Sequence, residues 1–163
     1  MKYIGSLIII ACLFACSNNK HVKAGLEGTP LPSFTLLLYD SVTRFNTELI
    51  PVGKPVALFY FSTHCPFCRA QVKDMLKDMD KLKGIQFYMI TDSPFPEMKN
   101  FYNEFQLAQY PNVTVGMDSA RFVLNYFQTT GIPFMAIYGK DKKLNSTFLG
   151  STNSSDIADV ANE

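Results

Sequence analysis

Cys65-Pro66-Phe67-Cys68 is the stretch of this sequence whose residue types and spacing point most directly to chemistry. Two thiols at that separation can close a disulfide with each other or exchange with one elsewhere, and in either case the thiolate is the nucleophile. The pair sits between a continuous apolar run, Val56-Ala57-Leu58-Phe59-Tyr60-Phe61, and the helically spaced Val72, Met75, Leu76, Met79 and Leu82. Cys65 therefore falls at the start of a helix, where unpaired N–H groups and the helix dipole favour an anion. Pro66 suits a first-turn position that needs no N–H. Cys68 lies one turn on, on the same face and more shielded. The expected sequence is attack through Cys65, a mixed disulfide, then displacement of the product by Cys68. His64, as an imidazolium beside Cys65, would favour the thiolate further.

The elements that must hold this pair follow from the apolar pattern. An unalternating run bounded by Pro51, Gly53 and Pro55 suits a central strand covered on both faces. Phe34 to Tyr39 precedes it as a first strand, and the helix after Cys68 closes at Gly84. Ile85 to Thr91 is a strand, and Pro94, Pro96 and Glu97 open a helix carrying Met98, Phe101, Phe105 and Leu107. A short extended segment, Val113 to Val115, leads to Asp118 and Ser119 as caps of a helix bearing Phe122, Val123, Tyr126 and Phe127. Phe134 to Tyr138 and Leu144 to Leu149 form a late hairpin across a solvated turn at Lys140 to Lys143, and Ser155-Asp156 starts a terminal helix. Strands alternating with helices predict an α/β fold with a mixed sheet.

The chain has 163 residues, 47% hydrophobic and 18% charged, which is enough for one domain with a proper core. Met1-Lys2-Tyr3 followed by Ile4 to Ala15 has the shape of a secretory signal, too short for a spanning helix. Leu13-Phe14-Ala15-Cys16 resembles the lipobox of bacterial lipoproteins. That resemblance implies a signal peptide over residues 1–15, lipidation of Cys16, a polar tether over 16–30 and a domain over 31–163. Two acyl chains or more would hold such a protein at a membrane. Lys+Arg number 15 and Asp+Glu 14, and loss of Lys2 with the leader leaves 14 of each. A neutral chain without a basic block argues against nucleic-acid binding. Of four cysteines, Cys12 leaves with the leader and Cys16 carries lipid, so Cys65 and Cys68 alone remain in the domain. Export places them in an oxidising compartment.

A strand, Ser62-Thr63-His64-Cys65-Pro66-Phe67-Cys68, a helix, and a later Gly131-Ile132-Pro133 before another strand resemble the thioredoxin fold. With the lipobox and the extra helix after the second core strand, the chain is most similar to membrane-tethered lipoproteins of the TlpA/ResA and AhpC/TSA type. The resemblance implies a central mixed sheet flanked by helices and thiol-disulfide exchange on protein substrates without a bound cofactor. It also implies a cis Pro133 beside the cysteines and a backbone at Ile132 that pairs with the substrate chain, with Pro66 and Phe67 completing the groove. Electrons would come from, or go to, a membrane redox partner in the bacterial cell envelope. The family's usual acids are replaced here: Phe59 stands where many thioredoxins bury a carboxylate, Gln71 where the cytochrome-maturation branch has glutamate, and His64 where tryptophan is common. Proton transfer at Cys68 is then expected to rely on water or on His64.

Other chemistries use the same residues less well. A zinc site lacks ligands, since only His21 and His64 could join the cysteine pair, and haem attachment fails because Arg69 follows Cys68. A peroxiredoxin-like thiol peroxidase would make Cys65 peroxidatic, with Ser62 and Arg121 polarising the peroxide, but a resolving thiol so near favours exchange. A non-catalytic binding module with a structural disulfide is the remaining alternative. So short a loop contributes little chain entropy, which argues against stability as the purpose of the bridge.

Overall fold

Val56–Tyr60 forms a strand (β4) whose five residues are all buried. The reason is visible in the alternation of its side chains. Val56, Leu58 and Tyr60 enter one apolar cluster, whereas Ala57 and Phe59, followed by Phe61, enter another on the opposite face. In the computed structural model, residues 21–22 and 24–163 are described. The strands are β1 (His21–Val22), β2 (Thr35–Leu38), β3 (Arg44–Asn46), β4, β5 (Gln86–Thr91), β6 (Val113–Met117), β7 (Phe134–Tyr138) and β8 (Leu144–Leu149). They join one sheet in the order β1-β8-β7-β4-β5-β6-β2-β3. β4 runs parallel to β5, and β5 to β6, while β7 is antiparallel to β4. The sheet is mixed, as expected.

The helices are α1 (Pro66–Lys77), α2 (Met79–Leu82), α3 (Phe95–Glu104), α4 (Phe122–Phe127) and α5 (Ser154–Ala161). Val72, Met75, Met79, Leu82, Met98, Phe101, Ile157 and Val160 cover one face of the sheet, so α1, α2, α3 and α5 lie together. Val123 and Phe127 place α4 on the other. α3 is the extra helix expected after the second core strand.

Four features depart from the sequence reading. The helix expected to carry Leu107 ends at Glu104, and Leu107–Gln109 form a separate 3-10 turn. The helix expected to run from Cys68 to Gly84 divides at Asp78, whose carboxylate takes Lys81 Nζ at 2.9 Å, although its apolar face continues across the break. Aspartate competes locally for hydrogen bonds and is a poor helix-interior residue. β3 pairs with β2 at one sheet edge and was not foreseen, because Arg44-Phe45-Asn46 is too short to show an alternation. At the other edge, residues expected within the tether lie along β8: His21 pairs with Phe148 and Val22 with Thr147, and Gly28 N–H donates to Leu144 O at 2.8 Å. Edge pairing uses backbone groups and needs no apolar period, so polarity alone could not reveal it.

Candidate redox site

The polypeptide leaves β4 at Tyr60, crosses Phe61 to His64 and enters α1 with Cys65 as the capping residue. Cys65 has extended backbone angles, and its Sγ accepts the Cys68 backbone N–H at 3.3 Å. That is the side-chain position in which serine or aspartate usually caps a helix, so an anion on the sulfur meets a backbone donor and the positive end of the dipole. Pro66 occupies the first turn as expected. Cys65 is partly exposed, Cys68 is 0% exposed, and both are free thiols. Burial first, and then its hydrogen bond to Cys65, push the Cys68 thiol up to about 12. One sulfur is thus reachable and its mate is sealed beneath it.

The other predicted groove residues surround this pair unequally. Phe67 is 67% exposed and Pro66 is also at the surface. The Ile132–Pro133 peptide is cis. Phe134 pairs with Tyr60, which brings the Ile132–Pro133 loop to the end of β4 from which the cysteine loop departs. Cys65 and Ile132 pack against the same apolar cluster. Cys16 lies outside the described residues. Among the described residues, no three His, Cys, Asp or Glu side chains come together as a metal site.

His64 is exposed and reaches α3 at the surface: its Nε2 lies 3.0 Å from Glu97 Oε2. The same carboxylate oxygen accepts from Thr63 Oγ1 at 3.1 Å. Thr63 is 3% exposed, and every polar group it carries is held. Its N–H donates to Ser93 Oγ at 3.3 Å, its hydroxyl also contacts Ser93 Oγ at 3.2 Å, and its carbonyl accepts from Arg69 Nη1 at 3.1 Å. Arg69 in turn pairs with Glu104 of α3 and stacks its guanidinium over Phe101 and Phe105, at 5.6 and 5.1 Å from the ring centroids. Sequence reasoning missed this clamp. Glu97 is 33 positions from His64 and Glu104 is 35 from Arg69, and no local pattern pairs residues at that distance.

The positions of the replaced acids are fully occupied. Phe59 is buried against Phe61, with ring centroids 5.8 Å apart. Gln71 is 2% exposed and makes a two-way bridge, donating from Nε2 to Thr152 O at 3.0 Å and accepting from Thr152 N at 2.7 Å. Arg121 is paired with Asp92 at 3.0 Å and lines a cavity of about 260 Å³ with Tyr60, Gly131 and Ile132.

Similarity to known proteins fits this arrangement. A thiol:disulfide interchange protein of the thioredoxin family from Chlorobium tepidum superposes with a TM-score of 0.65 at 21% identity, covering 82% of this chain and 94% of that one. A secreted Mycobacterium tuberculosis disulfide oxidoreductase gives 0.63 at 20% identity, covering 78% and 93%. These likenesses define the architecture as the thioredoxin fold. The family model described as Redoxin matches residues 26–162, and the chain belongs to that family. The thiol:disulfide interchange protein DsbE of Escherichia coli is 36% identical over 52 residues, a stretch covering 31% of this chain and 28% of that protein.

Proposed function

We propose that this protein is an extracytoplasmic thiol-disulfide oxidoreductase acting on protein thiols and disulfides through Cys65 and Cys68. The observation that carries the proposal is the pairing of a partly exposed sulfur, capped by a backbone N–H at the start of α1, with a buried thiol one turn further on. The Cys65 thiolate attacks a substrate disulfide, one substrate sulfur leaves as a thiolate, and a mixed disulfide remains. Cys68 then loses its proton and attacks Cys65 Sγ, closing the Cys65–Cys68 bond and releasing the second substrate sulfur. The pair gives up two electrons and the substrate gains them; the reverse order oxidises a substrate dithiol. Ile132 and Pro133 form one wall of the substrate groove, Pro66 and the exposed Phe67 another, and His64 tunes the nucleophile.

Several similar proteins are named for thiol:disulfide interchange, and one is described as secreted, which supports the activity and a location outside the cytoplasm. Among the described residues no helix is long and apolar enough to cross a membrane. A lipid on Cys16 would supply the attachment, and a membrane redox partner the electrons or their sink. Proteins of this chemistry span reduction potentials of about −270 to −120 mV, so the equilibrium of the pair against glutathione assigns donor or acceptor.

The thiol-peroxidase alternative needs Arg121 for peroxide, but that side chain is engaged by Asp92. A Cys68→Ser variant tests the proposal directly. It should accumulate mixed disulfides with its partners on non-reducing gels, each released by dithiothreitol, and the absence of such species would refute exchange. A peroxidase would instead consume peroxide at an initial rate that Cys65→Ser abolishes and Cys68→Ser spares.

A further inference from the structure

Beside the Ile132–Pro133 loop lies the cavity of about 260 Å³ whose walls include Tyr60, Asp92, Arg121, Leu124, Gly131 and Ile132. Ile132 is the wall it shares with the exchange site, since this side chain packs both against the cluster that Cys65 joins and against the one on the α4 face of the sheet. Tyr60 ends β4 and is 1% exposed, yet its hydroxyl makes no hydrogen bond, so the cavity wall carries a buried polar atom without a partner. Burial first, then the carboxylates of Asp92 and Asp118, push the Tyr60 hydroxyl up, while Arg121 pulls it down. Asp118 is 0% exposed, and its Oδ1 is unpartnered as well. Asp92 and Arg121 hold each other at 3.0 Å. Two carboxylates against one guanidinium leave this corner with an excess of negative charge.

We propose that this cavity is a substrate subsite that takes a lysine side chain adjoining the cysteine of the protein being oxidised or reduced. This rests on the oxidoreductase function proposed above and gives it a substrate preference. The volume lies below the roughly 300–1,000 Å³ of small-molecule sites, so it suits one side chain of a docked polypeptide better than a free ligand. Leu124, Ile132 and the Tyr60 ring offer apolar wall to the methylene stem, as lysine buries its carbons and keeps its charge at a polar end. The ammonium only donates, and both the Tyr60 oxygen and the Asp92 carboxylate can accept. An acidic side chain would find Arg121 already matched by Asp92, with Asp118 behind it. Register follows from the backbone. A substrate extended along Ile132 turns successive side chains to opposite sides, so when its cysteine faces Cys65 the residues directly before and after it face the other way, towards the cavity.

Glycine-rich peptides with a single cysteine, held as a mixed disulfide with thionitrobenzoate, test the subsite on the reduced protein. Cys65 attacks the peptide sulfur, thionitrobenzoate departs as the better leaving group and is read by its absorbance, and Cys68 then frees the peptide thiol. Each rate is divided by that of the same peptide with dithiothreitol, which cancels the effect of a neighbouring residue on the disulfide itself. Lysine directly before or directly after the cysteine should then speed release about fivefold over norleucine, and more over glutamate, whereas lysine two places away should give no advantage. Tyr60→Phe, which removes one oxygen, should cut the lysine-to-norleucine ratio about twofold or more, and Asp92→Asn should bring it to about one. Arg121→Gln, which removes the competing cation, should raise it. Opposite signs at Asp92 and Arg121 separate a charge-selective subsite from a loosened loop, which would move every peptide alike. A ratio below about two at both adjoining positions, a preference for glutamate, or a ratio unmoved by Tyr60→Phe and Asp92→Asn would overturn the proposal. Failure of the exchange function looks different: every peptide, whatever its neighbour residue, would stay bound to Cys65 because Cys68 does not release it, and the subsite would have no reaction to serve.

Discussion

Reduced protein exposed to iodoacetamide at neutral pH is expected to react at Cys65 and to spare Cys68. Burial and the bond to Cys65 push the Cys68 thiol from 9.0 up to about 12. Each pH step is tenfold in thiolate, so its reactive fraction at neutral pH falls roughly a thousandfold below that of an unperturbed thiol. Because Cys68 is 0% exposed, the reagent must also wait for local opening, which slows it further. The assay is a time course of alkylation, quenched, digested and read by mass spectrometry of the peptides carrying each cysteine after separation of Cys65 and Cys68 by fragmentation. Cys68 labelling should climb about tenfold per pH step until it approaches pH 12. The same shift has a sign for stability. The folded thiol holds its proton where the unfolded one gives it up, so its contribution is present below pH 9 and is lost as pH rises towards 12. The reduced protein should therefore lose stability over that window relative to the disulfide form, in which the group is absent. Buried Tyr60, Tyr88 and Tyr138, all pushed up by burial, are common to both forms and cancel in the comparison. Labelling of Cys68 within tenfold of Cys65 at neutral pH, or a flat pH profile for Cys68, would refute the reasoning.

Replacing the residues at the missing-acid positions should cost stability rather than restore a relay. Phe59→Asp removes a core ring and buries a charge, and urea unfolding should show a loss of about 4 kcal/mol or more. Gln71→Glu deletes the donor to Thr152 O and sets a carboxylate against that carbonyl, which should lower stability by about 2–3 kcal/mol and leave a mutant insensitive to ionic strength. Gly116→Ala would bring a Cβ to 2.8 Å from Leu36 Cβ, so β2 must shift against β6; a loss of about 1–3 kcal/mol in chemical denaturation is expected, and an unchanged midpoint would contradict the close approach.

The parts of the molecule most legible in the sequence were those governed by local rules. The apolar run Val56 to Phe61 had to be a doubly covered strand, and Phe134 to Tyr138 and Leu144 to Leu149 appear with the bounds expected of them. Cys65 at a helix start followed from the same run meeting a helical period. Asp118-Ser119 reads as the cap of α4, but the capping position falls to Arg121, at φ 54°, and Asp118 instead reaches over it, its Oδ2 accepting from Val123 N at 3.0 Å. What stayed hidden was decided by tertiary contact. Thr63 reads as a loop residue until Ser93, Glu97 and Arg69 converge on it. Lys142 reads as solvated, yet its Nζ donates to Lys54 O at 2.8 Å, and burial lowers its pKa. Gln71 could be recognised as a substitution, but not as a strut to the segment before α5.

The rung on which β1 enters the sheet has a consequence for how far the molecule can stand from a bilayer. His21 aligns with Phe148, Phe148 with Met135, and Met135 with Phe59, one position short of the end of β4. The chain therefore arrives from the cysteine end of the sheet. If Cys16 bears the lipid, four residues lie between it and His21, a leash of at most about 18 Å from Cα to Cα even when drawn straight. So short a leash would keep the reactive edge within a few water layers of the headgroups, accessible to thiols held at the membrane surface and poorly placed to patrol the space beyond it.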